Sequence, residues 1–129
     1  MASRLIFLDT NILIAVSKQQ FEPAALQRHY DRVLVSFVAQ VEALGFAFPN
    51  TAEELRMRNL LAGLERVPFG EAEAYYAIRY RKARKIKFPD AAILATARAA
   101  GADLLTENLA DFQGLDPQVR VLNLAALPR

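Results

Sequence analysis

The chain has 129 residues, of which 53% are hydrophobic and 23% charged, and it contains no cysteine. This composition excludes a disordered or collagen-like protein and predicts one globular domain. The lack of cysteine excludes disulfides, thiolate-bound zinc and thiol nucleophiles, and it suits a reducing compartment, so we expect a cytoplasmic protein. No apolar stretch reaches the roughly 18 residues of a membrane span. The net charge of +2 is too small to indicate nucleic-acid binding by itself.

The first part of the chain predicts two strand–helix units. Residues 5–8 form a continuous apolar run, typical of a buried strand, and a helix follows to about residue 17, with Thr10 or Asn11 as its N-cap. Residues 33–35 repeat this plan, because Ser36 can cap a helix that continues to about residue 46. Each unit places polar side chains directly after a buried strand.

The next segment predicts an amphipathic surface helix. Residues 51–54 have the pattern of a capping box, with Thr51 as the N-cap. The apolar residues that follow recur with helical spacing on one face, at Met57, Leu60, Leu61 and Leu64.

The last part of the chain adds two more helices and two more strands. One helix covers residues 71 to about 85, and the next runs from Pro89 to Gly101 and is apolar on nearly every side, as expected of a central helix. Strands are predicted at residues 104–105 and 119–124. This alternation predicts an α/β fold, a three-layer α/β/α sandwich with a mainly parallel central sheet.

Three carboxylates lie in apolar surroundings. Asp9 follows the first predicted strand, which is where ligands bind in open α/β sheets. Glu42 has only apolar residues or glycine three and four positions away on its helix, so we expect it to be buried or to face a cavity. Asp90 lies in the first turn of its helix. Each has a structural alternative: capping for Asp9, an amide or arginine partner for Glu42, and the helix dipole for Asp90.

Together the three carboxylates predict a divalent metal site. Two carboxylates about 6 Å apart repel by roughly 3 kcal/mol at an effective dielectric near 20, so a cation must hold them. Mg²⁺ or Mn²⁺ accepts such ligands and supports phosphodiester hydrolysis. The only histidine is His29, which excludes a two-histidine ribonuclease, and no glycine-rich phosphate-binding motif is present.

A basic segment just before Asp90 indicates a nucleic-acid substrate, because its charges could guide a phosphate backbone to the acids. A solvated helix end is the alternative interpretation. Besides Arg79, the segment contains five residues for which we predict RNA contacts: Arg81, Lys82, Arg84, Lys85 and Lys87.

The ordered set of motifs resembles PIN-domain ribonucleases, and within them the VapC-type toxins of bacterial and archaeal toxin–antitoxin pairs. The resemblance covers essentially the whole chain and implies a single PIN-like domain over residues 1–129. It implies cleavage of single-stranded or loop RNA that leaves 5′-phosphate and 3′-hydroxyl ends. The motifs that carry it are LDTNIL at residues 8–13, VEAL at 41–44, PDAAILA at 89–95, and LLTEN at 104–108 followed by DF at 111–112.

The resemblance also implies which residues form the site. The family's acidic pocket for Mg²⁺ or Mn²⁺ carries over to Asp9, Glu42 and Asp90 as catalytic residues. Asp9 and Asp90 are the expected metal ligands, and Thr10 and Thr106 are the expected supporting hydroxyls.

The fourth pocket position departs from the family pattern. It is often aspartate in the family and is Asn108 here, which we expect to complete the catalytic set. A neutral amide oxygen is a weaker ligand than a carboxylate, and this puts a second tightly held metal in doubt. Glu107 and Asp111 are alternative residues for this position.

The resemblance implies an RNA substrate, a cognate antitoxin whose tail covers the pocket, and a homodimer. A solitary PIN nuclease in RNA processing would have a similar sequence. Two alternatives come from other classes: a phosphoacceptor receiver domain with an acidic Mg²⁺ pocket, and a catalytically inactive interaction module. The receiver fits less well, because Asp9 has Thr10 beside it rather than a second acid.

Overall fold

The computed structural model describes residues 4–127, in which helices flank a five-stranded sheet. The strands are β1 (Leu5–Leu8), β2 (Arg32–Ser36), β3 (Glu65–Val67), β4 (Asp103–Leu105) and β5 (Val121–Leu122). The helices are α1 (Thr10–Ser17), α2 (Phe37–Leu44), α3 (Thr51–Gly63), α4 (Glu71–Ala83), α5 (Phe88–Ala100) and α6 (Leu109–Phe112). Two 3₁₀ segments, Pro23–Arg28 and Leu124–Ala126, complete the structure.

The sheet has the strand order β3-β2-β1-β4-β5, and every neighbouring pair is parallel. The predicted three-layer α/β/α architecture is therefore confirmed. The chain builds β2 and β3 on one side of β1 and then crosses to place β4 and β5 on the other side. The topological switch point thus lies between β1 and β4, and ligands bind in the crevice outside the carboxyl ends of such strands.

The core contains the residues that the apolar patterns predicted. Ile6, Phe7 and Leu8 of β1 are completely buried, as expected for a strand covered on both faces. In α5 every side chain from Ala91 to Ala97 is buried, which confirms the predicted central helix. That helix ends at Gly101, whose φ of 66° is the left-handed conformation favoured by glycine.

Several local predictions were wrong. The expected strand at 119–124 is reduced to β5, because the chain turns into a 3₁₀ segment at Leu124. Asn50, not Thr51, caps α3 and accepts a hydrogen bond from the Glu53 amide. Strand β3 was not predicted, since a short edge strand with two charged residues carries no apolar pattern.

None of the helices within residues 4–127 is both long enough and apolar enough to cross a membrane.

Candidate active site

Asp9 is buried at the switch point, and only 4% of the residue is exposed. It is the N-cap of α1, because its Oδ1 accepts a 2.8 Å hydrogen bond from the Thr10 amide. The prediction that Thr10 or Asn11 caps this helix was wrong. Asp9 Oδ2 accepts hydrogen bonds from Thr106 Oγ1 at 2.7 Å and from Asn11 Nδ2 at 3.2 Å. Three donors therefore fix both oxygens of this carboxylate.

Asn11 belongs to this network, although its sequence position predicted only a helix cap. Its Nδ2 is also 3.2 Å from Thr106 Oγ1, and its Oδ1 accepts a 3.1 Å hydrogen bond from the Glu107 amide. Asn11 thereby joins the segments that follow β1 and β4. The signal available in the sequence was an amide side chain inside an otherwise apolar helix start, two residues after a candidate ligand.

Glu42 lies on the second turn of α2 and is exposed, so the expectation of burial was wrong. Its Oε1 accepts a 2.7 Å hydrogen bond from Thr10 Oγ1, which ties α2 to the start of α1. The neighbouring Val41 is 70% exposed, so the apolar residues around Glu42 in the sequence do not cover this part of the helix. The carboxylate is held beside Asp9 but is open to solvent.

Asp90 is half-buried in the first turn of α5. Its pKa is raised to about 6, chiefly by burial and then by the charges of Asp9, Asp111 and Glu42 in that order, while the charge of Lys87 lowers it. The pKa of Asp9 is also raised, chiefly by burial and to a lesser degree by Glu42, against the lowering effect of the Thr106 hydrogen bond. The three acids that are distant in sequence therefore lie close enough to act on one another.

No basic side chain forms an ion pair with Asp9, Glu42 or Asp90 within residues 4–127, where the ion pairs involve other acids. The same part of the chain contains no three acidic or imidazole side chains that could hold a metal ion by themselves. Mg²⁺ does not require three, because it usually keeps several waters and is bound through one or two carboxylates and substrate phosphate. The donor set therefore fits an open metal site better than a closed one.

The three candidates for the fourth position have different surroundings. Asn108 Nδ2 donates a 2.5 Å hydrogen bond to Asp111 Oδ2, and the Asn108 amide donates to Thr106 Oγ1 at 3.0 Å. Glu107 Oε1 accepts a 2.8 Å hydrogen bond from the Leu124 amide, which directs it toward the last 3₁₀ segment. Asp111 lines a cavity together with Asp90.

The basic segment divides into two groups. Arg84, Lys85 and Lys87 line the cavity of about 350 Å³ that also contains Asp90 and Asp111. The guanidinium of Arg84 donates to the carbonyl oxygens of Asp111 and of Gln113.

The other two predicted RNA contacts, Arg81 and Lys82, are not among the residues that line this cavity. Arg81 Nη1 donates to the Ile86 carbonyl oxygen at 3.2 Å, and Lys82 lines a separate cavity with Arg79 and Asp116. The structure therefore places only part of the basic segment beside the acids.

The chain matches the family model described as PIN domain over residues 6–115. It is similar in structure to VapBC2 from Rickettsia felis bound to a promoter DNA fragment, with a TM-score of 0.76, 20% identity, and coverage of 92% of this chain and 98% of that chain. VapBC from Salmonella typhimurium bound to DNA gives a TM-score of 0.76, 22% identity, and coverage of 93% and 98%. A toxin–antitoxin complex from Klebsiella pneumoniae gives a TM-score of 0.68 and 28% identity, and the match covers 88% of this chain and 94% of that chain. No curated protein sequence matches the chain significantly.

These similarities confirm the resemblance to PIN domains of the VapC type that the motifs predicted. Both these similarities and the sheet topology argue against a receiver domain. A receiver has the strand order 2-1-3-4-5, whereas this sheet has the order β3-β2-β1-β4-β5.

Proposed function

Since this chain belongs to the PIN domain family, we propose that it is an endoribonuclease that depends on Mg²⁺ or Mn²⁺ and hydrolyses phosphodiester bonds in RNA. The observation that carries the proposal is the buried Asp9 carboxylate at the switch point, grouped with Asp90 and Glu42 and without a basic partner among residues 4–127. Capping of α1 explains the bond from the Thr10 amide, but it does not explain why two further carboxylates act on Asp9 or on each other, and a bound cation would offset that repulsion.

Asp9 and Asp90 would hold the divalent cation in this proposal. When bound, the cation supplies Lewis acidity and lowers the pKa of water for phosphodiester hydrolysis. The hydrogen bonds from Thr106, Asn11 and the Thr10 amide orient the Asp9 carboxylate and favour its ionised form, which offsets part of the cost of its burial.

Glu42 would serve as the general base. Its Oε1 is held by the Thr10 hydroxyl at 2.7 Å, which leaves the other carboxylate oxygen to accept a proton from the attacking water. Its exposure supports this role, because a base for a solvent-derived nucleophile must be reached by water.

Lys85 and Lys87 would bind the phosphate backbone. Both are exposed and line the cavity that contains Asp90, so they place positive charge where the substrate would approach the acids. Arg81 and Lys82 are exposed as well and would contribute longer-range attraction rather than contacts at the scissile bond.

We further propose that the protein is the toxin of a type II toxin–antitoxin system. The structural similarity to VapBC proteins and to a toxin–antitoxin complex supports this proposal. It includes a homodimeric toxin and an antitoxin that covers the acidic pocket. A solitary nuclease in RNA processing is the second candidate, and co-expression separates them: only a toxin would arrest growth and be rescued by the product of a neighbouring small reading frame.

The direct test is cleavage of total RNA with Mg²⁺, with Mn²⁺ and with EDTA. We expect cleavage with either metal, none with EDTA, and products with 5′-phosphate and 3′-hydroxyl ends. Asp9→Asn and Asp90→Asn should each abolish cleavage without loss of folding. Asp31→Asn is a matched control, because Asp31 precedes β2 at the opposite end of the sheet and an amide can still accept the Arg4 amide hydrogen bond. Full activity in either pocket variant would refute the proposal.

A further inference from the structure

We propose that Arg84 is a positioning residue of this site, which holds α6 so that Asp111 rather than Asn108 supplies the fourth acidic group beside Asp90. This inference rests on the proposed function, because it assigns roles within the same pocket. It changes the role of Arg84 from contact with RNA to support of a carboxylate.

The Arg84 guanidinium points to the end of α6. Arg84 is the C-cap residue of α4, and its side chain is half-buried. Its Nη1 donates a 2.8 Å hydrogen bond to the Gln113 carbonyl oxygen, and its Nη2 donates to the Asp111 carbonyl oxygen. Carbonyl groups at the end of a helix lack partners within the helix, and a cation is favourable there. The guanidinium therefore binds the backbone at the end of α6.

Helix α6 is fixed on both sides of Asp111. Phe112 is only 1% exposed and anchors the helix in the core. Asn108, at the start of α6, donates its amide N–H to Thr106 Oγ1 at 3.0 Å. Thr106 in turn donates to Asp9. A continuous set of contacts therefore connects the position of Asp111 to the position of the buried metal ligand.

The three candidates for the fourth acid differ in what their side chains contact. Asn108 uses its side-chain amide to donate to Asp111 Oδ2, so it orients that carboxylate instead of offering a charge of its own. Glu107 is engaged by the Leu124 amide. Asp111 lines the same cavity as Asp90. Asp111 is thus the candidate that combines charge, exposure and proximity.

Lys85 provides a matched control for Arg84. The two residues are adjacent, both are basic, and both line the same cavity. Lys85 is exposed, and neither the ion pairs nor the side-chain hydrogen bonds within residues 4–127 include it. If both residues bound RNA, removing either would have the same effect.

The experiment compares Arg84→Ala with Lys85→Ala in two measurements. Mg²⁺ affinity is measured by calorimetry, and the salt dependence of binding to a single-stranded RNA oligonucleotide is measured in EDTA, where no cleavage occurs. We expect Arg84→Ala to weaken Mg²⁺ binding by roughly tenfold, as loss of outer-shell support does, with an unchanged salt slope. We expect Lys85→Ala to leave Mg²⁺ affinity unchanged and to reduce the slope by about 0.7. Unchanged Mg²⁺ affinity with a reduced slope in Arg84→Ala would overturn the inference.

Asp111→Asn tests the same inference without disturbing the α4–α6 contact, since its side chain is exposed. It should weaken Mg²⁺ binding as much as Arg84→Ala does, and the double variant should be no weaker than Asp111→Asn alone. Additive losses would refute the coupling. Hydrogen exchange at the Gln113 amide, which donates to the Leu109 carbonyl oxygen at 2.9 Å, should be faster in Arg84→Ala and unchanged in Lys85→Ala. A wild-type protein that neither binds Mg²⁺ nor cleaves RNA would instead refute the proposed function.

Discussion

Thr106 donates a 2.7 Å hydrogen bond to Asp9 Oδ2 across a separation of 97 residues in sequence. Both side chains are buried, with exposures of 0% and 4%. The bond connects the carboxyl ends of β1 and β4, and it opposes the effect of burial on the Asp9 pKa. The site is therefore built on the two strands that flank the switch point.

Thr106→Val should weaken Mg²⁺ binding at neutral pH by roughly 10- to 100-fold, the usual effect of losing an outer-shell partner. Valine has nearly the shape of threonine but cannot donate, so the Asp9 pKa should rise further. Thr106→Ser retains the hydroxyl and should stay close to wild type. Calorimetric titration with Mg²⁺ distinguishes the two variants. Equal affinities for valine and serine would show that the hydroxyl does not support the ligand.

Mg²⁺ affinity should depend on pH in the range set by Asp90. Its pKa is raised to about 6, so it must release a proton before it can bind a cation below that pH. We expect affinity to fall about tenfold for each pH unit below this value and to change little above it. Lys87→Ala should move the midpoint to higher pH, because Lys87 lowers this pKa, while Lys82→Ala should not. An affinity that is constant between about pH 7.5 and 5 would contradict the assignment.

Without metal, the free energy of unfolding should depend on pH in the opposite sense to Mg²⁺ affinity. The folded-state pKa of Asp90 of about 6 lies above its ordinary value of 3.8, so the folded protein binds more protons between these values. The contribution of Asp90 to the free energy of unfolding therefore decreases as pH rises from about 4 to 6. At higher pH the ionised carboxylate continues to destabilise the fold by the same amount. Asp90→Asn should be more stable than wild type at pH 7.5 in EDTA, on the order of 1 kcal/mol after allowance for solvent screening.

Urea denaturation at about pH 7.5 and pH 4 tests this expectation. The difference between Asp90→Asn and wild type should be largely lost at the lower pH, where the folded-state carboxyl is protonated and the unfolded-state carboxyl is close to its pKa of 3.8. Asp31→Asn should show no such pH-dependent gain. A loss of stability in Asp90→Asn at pH 7.5 would mean that the carboxylate stabilises the fold, as a simple helix N-terminal acid does.

The strands and acids of the first βα units could be predicted because their signals are local. Residues 5–8 form a continuous apolar run, and β1 has the same bounds. Ser36 was predicted to cap the second helix, and its Oγ accepts the Ala39 amide hydrogen bond at 3.0 Å. Asp9 and Asp90 stand next to apolar runs that are buried in the structure. The local sequence pattern was sufficient to predict a residue's surroundings wherever these depend on a single strand or helix.

Other features depend on contacts between distant segments. The Asn11 bond to the Glu107 amide spans 96 residues, and the Arg84 bond to the Asp111 carbonyl spans 27. The spacing of residues in a sequence does not show where a guanidinium points. A run of basic residues therefore indicates nucleic-acid binding even when one of its side chains contacts a backbone carbonyl group. The exposure of Glu42 was missed for the same reason, because neighbours along one helix do not show whether another element covers it.

Glu42→Gln should separate proton transfer from metal binding. Glu42 is exposed and bonded to Thr10, whereas the proposed metal ligands are Asp9 and Asp90. Removing a general base commonly lowers kcat by about 10²- to 10⁴-fold. We therefore expect kcat for RNA cleavage to fall by that order while the Mg²⁺ dissociation constant changes by less than about threefold, in contrast to Asp9→Asn. Thr10→Val, which removes only the hydroxyl that orients Glu42, should lower kcat less. Loss of Mg²⁺ binding in Glu42→Gln as complete as in Asp9→Asn would make Glu42 a metal ligand, and proton transfer would then have to be assigned to another group.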